Sequence, residues 1–161
     1  MPKEGAMTEQ PSPEEQSKWH RRFAVECNNL CWELTTKARS AEEDVEMLNA
    51  AHAAAFHWSK VGTELNDIRA KMLLGHVHAL LGYGASAMEY AQESHSYLLS
   101  HDAPDWEVAF AHAILAQAAS VVGDDDLHAR AYSDAQRAID AISDPEDRAV
   151  VLKTFDLVPS P

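Results

Sequence analysis

Apolar residues recur along most of this chain at spacings of three and four, the period of an α-helix that buries one face. Ser12-Pro13-Glu14-Glu15 opens the first run as a capping box with proline at the first helical position. The stripe Trp19, Phe23, Cys27, Leu30 and Leu34 then predicts a helix to about Lys37. Ser40-Ala41-Glu42-Glu43 repeats the capping logic, with an expected inner face of Val45, Leu48, Ala51 or His52, Ala55 and Trp58 before Gly62. Thr63 caps a third helix whose face is Leu65, Ile68, Met72, Gly75, Ala79 and Gly82, widened by Leu73, Val77 and Leu80. A helix that apolar is covered on more than one side.

Gly82-Tyr83-Gly84 reads as a turn, followed by a helix from about Ala85 to Leu99 that packs Ala87, Ala91, Ser94 and Leu98. The fifth helix is expected from Pro104 to Val122, with Asp105 and Glu107 placed well for its dipole. Gly123 closes it, Asp124 to Asp126 start a sixth with Leu127, Ala131, Ala135, Ala138 and Ile142 inside, and Asp144-Pro145 starts a short seventh. That last helix should lay Val150, Val151 and Phe155 over the preceding pair, as a terminal cap does in a helical array. The expected organisation is a flexible leader over 1–11, one all-α domain over 12–155 and a frayed tail over 156–161.

Several spacings along these helices resemble the tetratricopeptide (TPR) motif. Leu74-Gly75, Gly82, Ala87, Ala91 and Ser94 match it, while His78 stands where an aromatic is usual and Lys71 where a tryptophan is common. A looser second copy runs through Leu115-Ala116, Gly123 and Ala129, with one residue inserted in the acidic turn and Ala119 replacing the aromatic. The turn glycines Gly82 and Gly123 lie 41 residues apart, against a family period of roughly 34, so the connection around His101 to Pro104 is enlarged. The chain is thus similar to the TPR family, and to small bacterial helical proteins of that architecture with no assigned activity. The resemblance covers about half the chain. It implies antiparallel hairpins stacked as a short right-handed TPR-like array of about seven helices, with a binding surface and no reaction. Carried over by position, it puts Arg69, Met72, His76 and Leu80 in a concave groove, faced by Phe110, Ala113, Gln117 and Ser120 of the fifth helix. Arg69, Met72, His76, Phe110 and Gln117 are therefore the expected partner-binding residues.

Charge narrows the partners. Lys plus Arg number 13 against 26 Asp plus Glu, a net −13 with no basic run, which argues against nucleic acid and favours a basic or apolar partner. No apolar stretch reaches membrane length and no signal segment opens the chain, so a cytoplasmic protein is expected. Cys27 and Cys31, four residues apart on one helix, are poorly placed for a disulfide and read as buried free thiols.

Catalytic chemistry finds little support. Nine histidines invite a metal hypothesis through His52, His57, His76, His78 and His112, yet neither His52/His57 nor His76/His78 has the i, i+4 spacing of a helical two-histidine site. Asp125-Asp126-Leu127-His128 puts a carboxylate and an imidazole one turn apart, but at a helix start, where acids serve as caps. There is no Gly-x-Ser-x-Gly elbow and no phosphate-cradling glycine loop. No cofactor and no catalytic residue are assigned. The expectation is a non-enzymatic protein- or peptide-binding module. The alternatives are a histidine-rich metal-binding protein or enzyme, and a structural homodimer anchored by some of Trp19, Trp32, Trp58 and Trp106.

Overall fold

The computed structural model describes residues 10–161, which form seven helices: α1 (Pro13–Thr35), α2 (Ala41–Val61), α3 (Glu64–Leu80), α4 (Gly84–Ser100), α5 (Asp105–Val122), α6 (Asp125–Ala141) and α7 (Pro145–Phe155). The described fold is all-α, as the periodicity predicts. Local chemistry sets the boundaries. Ser12 and Ser40 each form a complete capping box, the serine Oγ accepting from the N3 amide and the N3 glutamate accepting from the cap amide. Thr63 and Asn66 do the same for α3. Gly123 ends α5 in the left-handed conformation at φ 76°, where a side chain would be strained.

Three antiparallel hairpins, α1–α2, α3–α4 and α5–α6, stack in order, and α7 closes the last of them. The odd-numbered helices form one continuous layer, α1 against α3, α3 against α5 and α5 against α7. Each even-numbered helix touches its hairpin partner and the following odd helix, with no contact between α2 and α4 or between α4 and α6 among the described residues. This places α3 and α5 at the centre and accounts for their burial. Residues 72–79 of α3 are continuously buried, and α5 is a nearly all-round apolar helix built on Ala109, Ala111, Ala113, Ala116, Ala118 and Ala119. Small side chains let the backbones approach closely. A Cβ on Gly75 would meet the Ala91 amide nitrogen at 3.2 Å and Ile114 Cγ2 at 3.3 Å.

Two expected faces are met only in part: Leu34 and Ala51 are buried as expected, and Leu48 and Ala55 pack half-buried against the core. On α1 the buried residues are Ala24, Cys31, Leu34 and Thr35, whereas Trp19 is 58% and Phe23 41% exposed and Leu30 also meets solvent. On α2 they are Met47, Ala50, Ala51 and Ala54, with Val45 exposed. At this end of the array each helix has few neighbours, and the pair buries Ala24, Cys31, Ala50, Ala51 and Ala54 around Leu34 and Met47, leaving Trp19, Phe23 and Val45 uncovered. In α6, His128 and Ile139 join Ala131 and Ala135 in the interior. In α7 the buried set is Val151, Thr154 and Phe155, and Val150 is exposed.

Residues 1–9 of the expected leader lie outside the described residues. The segment after α7 is not frayed. Val158 is buried, the Pro159 carbonyl accepts from His128 Nε2 at 2.7 Å, and Leu157 N–H donates to the Thr154 carbonyl. No described helix is long and apolar enough to cross a membrane.

Candidate functional site

All four odd-numbered helices contribute to one cavity of about 560 Å³. Asn28, Trp32, Glu33 and Thr36 come from the C-terminal part of α1 and its cap, and Arg69 and Met72 from α3. Trp106, Glu107 and Phe110 come from α5, and Val150, Lys153 and Thr154 from α7. Met72, Glu107, Phe110 and Thr154 are buried and form the floor, while Glu33, Thr36, Val150 and Lys153 are exposed at the rim. The rings of Trp32 and Trp106 lie 5.5 and 6.0 Å from that of Phe110, tilted at 57° and 82° to it, so the apolar lining is a walled recess. A concave site that sets aromatic and apolar side chains beside converging polar groups has the form of a ligand pocket.

Its polar centre is Glu107. The side chain is wholly buried, one carboxylate oxygen accepts from Arg69 Nε at 2.5 Å, and the other, Oε2, has no hydrogen-bond partner among the described residues. A buried carboxylate survives here for two reasons. Arg69 neutralises it from α3, and its place in the first turn of α5 sets it near the positive end of the helix dipole. Arg69 is itself 41% exposed, so the cationic partner keeps much of its hydration while the anion does not. Lys153 and Glu33 add one charge of each sign at the rim.

Of the five expected groove residues, Arg69, Met72 and Phe110 line this cavity. His76 and Gln117 do not. They lie one to two turns further along α3 and α5, fully enclosed, with His76 Nδ1–H donating to Gln117 Oε1 at 2.7 Å. Trp32 stacks on the His76 ring at 5.7 Å and closes that part of the groove. Burial pushes the His76 imidazole down to about 4 against the opposing effect of the Gln117 bond, with a smaller push from Arg39, and leaves Nε2 without a partner. In the sequence, Trp32 and Trp106 read only as candidate dimer anchors and Glu107 only as a helix-dipole acid, with none of them assigned to a binding site. A signal was present: Glu107 sits three and four residues before Phe110 and Ala111, on a face that is otherwise apolar.

Of the histidines weighed for metal binding, His52, His57, His78 and His112 each face another imidazole. His112 Nδ1 and His95 Nε2 share a hydrogen at 3.0 Å, His57 and His20 share one between their Nδ1 atoms at 2.8 Å, and His52 meets His78 edge-on at 5.4 Å. The His78 Nδ1–H also donates to the Leu74 carbonyl. His76 and His78, two apart on a helix, point to different neighbours. Burial and the facing His112 ring push His95 down to about 4, and burial also lowers His112, His57 and His52. Among the described residues no group of three or more His, Cys, Asp or Glu is placed to hold a metal ion. Cys27 and Cys31 are free, and burial pushes the Cys31 thiol up to about 12 while its S–H faces the Met47 carbonyl. Of the four tryptophans, Trp32 and Trp106 belong to the cavity, Trp58 lies beneath Arg21, and Trp19 stands exposed. No family model, no curated protein and no solved structure matches this chain.

Proposed function

We propose that this protein is a non-enzymatic, TPR-like binding module that accepts a side chain of a protein or peptide partner in the cavity between α1, α3, α5 and α7. The observation that carries the reading is the recess itself, with three aromatic walls and a fully buried carboxylate that still has an unused acceptor. Four packed helices present it ready-made, so binding need not order the site, and a single aromatic-lined pocket can supply most of an interface's affinity. The binding groove inferred from the TPR resemblance becomes shorter than expected, because Trp32 covers its far half. The free thiols Cys27 and Cys31 fit a cytoplasmic setting.

Panning a random peptide phage library tests this. The baits are the wild-type chain and a doubly substituted chain, Val150→Trp with Lys153→Trp, which fills the mouth from exposed positions on α7. Peptides enriched on the wild type and lost on the filled variant are expected. Equal enrichment on both would end the assignment of the cavity as the binding site.

A further inference from the structure

We propose that the group the cavity takes is an unmodified lysine side chain of a basic partner, its ammonium donating to Glu107 Oε2. This rests on the preceding reading of the cavity as a side-chain site and adds the chemistry of its occupant. Oε2 is an acceptor on a fully buried residue in the cavity lining, and no described residue donates to it. A carboxylate oxygen can only accept, so the group it calls for is an N–H or O–H donor, and a charged donor gives the strongest bond. Wall side chains shield Oε2. Oε2 is itself buried, so an entering ammonium displaces lining side chains, the 41%-exposed Arg69 among them.

The surroundings select the same chemistry. Trp32, Trp106 and Phe110 line the recess, and aromatic faces attract a cation that has shed part of its hydration. Met72 and Phe110 offer apolar wall to a methylene stem, the environment in which a lysine side chain buries its length behind a charged head. Guanidinium is less suited, because its planar fork would lie against that of Arg69 with one acceptor left to share. Within the lining, Glu33 and Glu107 balance Arg69 and Lys153, so the local charge does not repel a cation, and the chain as a whole carries −13. That field draws a basic partner to the site.

The test is a titration of the full chain with Nα-acetyl-lysine-N-methylamide, followed by the NMR signals of the Trp32 and Trp106 indole N–H groups and of Arg69 Nε–H. Comparators are the norleucine, Nε-acetyl-lysine and Nε-trimethyl-lysine derivatives. The lysine compound is expected to move all three signals and to bind about tenfold more tightly than norleucine, the ratio of a charge-assisted hydrogen bond to none. Trimethyl-lysine keeps the charge but has no N–H, and it should fall between them. Glu107→Gln should weaken lysine binding about tenfold. Lys153→Glu, an exposed change that leaves the core alone, should strengthen it about threefold. Norleucine binding as well as lysine, trimethyl-lysine binding better, or no effect of Lys153→Glu would each overturn the lysine assignment and leave the cavity reading intact. No shift with any compound, together with no cavity-dependent peptide in the panning experiment, would overturn both.

Discussion

Acid should unfold this protein in a way that one buried histidine makes measurable. The His76 imidazole is held neutral in the native state, pushed down to about 4 by complete burial, whereas in the unfolded chain it has the ordinary value of about 6.5. As pH falls through 6.5 the unfolded state takes up a proton and the native state does not, so the unfolded state binds more protons and stability falls with pH. The contribution is fully present above 6.5 and lost progressively down to about 4. Linkage puts His76's share at about 1 kcal/mol by pH 5.5 and between about 2 and 3 kcal/mol by pH 4.5. His52, His57, His95 and His112 are lowered as well and add to the wild-type slope, so a difference measurement is needed. His76→Phe combined with Gln117→Leu supplies it. The pair removes the titrating ring, its partner and the orphaned Nε2 together, and keeps an aromatic ring against Trp32. Replacing both partners with apolar groups of similar shape should leave stability at pH 8 within about 1 kcal/mol of the wild type. Urea unfolding at pH 8, 6.5, 5.5 and 4.5 checks both statements. Wild type and variant losing the same free energy between pH 8 and pH 4.5 would refute the claim that His76 is held neutral by burial.

Other perturbations follow from the same structure. Removing Arg69 leaves Glu107 buried and unneutralised, so Arg69→Ala should destabilise by about 2–3 kcal/mol, discounted for the arginine's partial exposure, while Glu107→Leu should be within about 1 kcal/mol of neutral. Parallel urea curves at pH 7 would expose the asymmetry, and equal losses would contradict it. Gly123→Ala should cost about 1 kcal/mol, because φ is 76° and nothing lies within 4 Å of the added Cβ, making the penalty purely conformational. Ser40→Ala removes the cap of α2 and should lower stability by about 1 kcal/mol in the same assay.

The helices were legible because helix formation is local. Serine three residues before glutamate, proline at a first turn, glycine after the last apolar position and asparagine three after Thr63 act within one turn of chain. The alanine face of α4 was legible for a related reason: Ala87, Ala91, Ser94 and Leu98 leave one choice of inner surface, and all four are buried. On α1 and α2 there were two choices. Trp19, Phe23 and Leu30 form the more hydrophobic stripe, yet Ala24 and Cys31 face inward, since close approach to the Ala50, Ala51 and Ala54 surface depends on the shape of both helices.

The candidate site was half legible. Arg69, Met72 and Phe110 were placed by positions carried over from the TPR resemblance, and the cavity contains them. The cover over His76 is Trp32, more than forty positions away in the chain, and no periodicity on α3 reports it. Glu107 shows the limit most clearly. Its position in the first turn of α5 is a matter of sequence, but its pairing with Arg69, 38 residues earlier, and the unused Oε2 beside three aromatic rings exist only once the odd-numbered helices are stacked. Sequence alone determined where each helix starts, stops and turns, because those interactions close within a few residues. The tertiary structure decided which faces are covered and which polar atoms are left wanting, because packing is settled between helices that are neighbours in space.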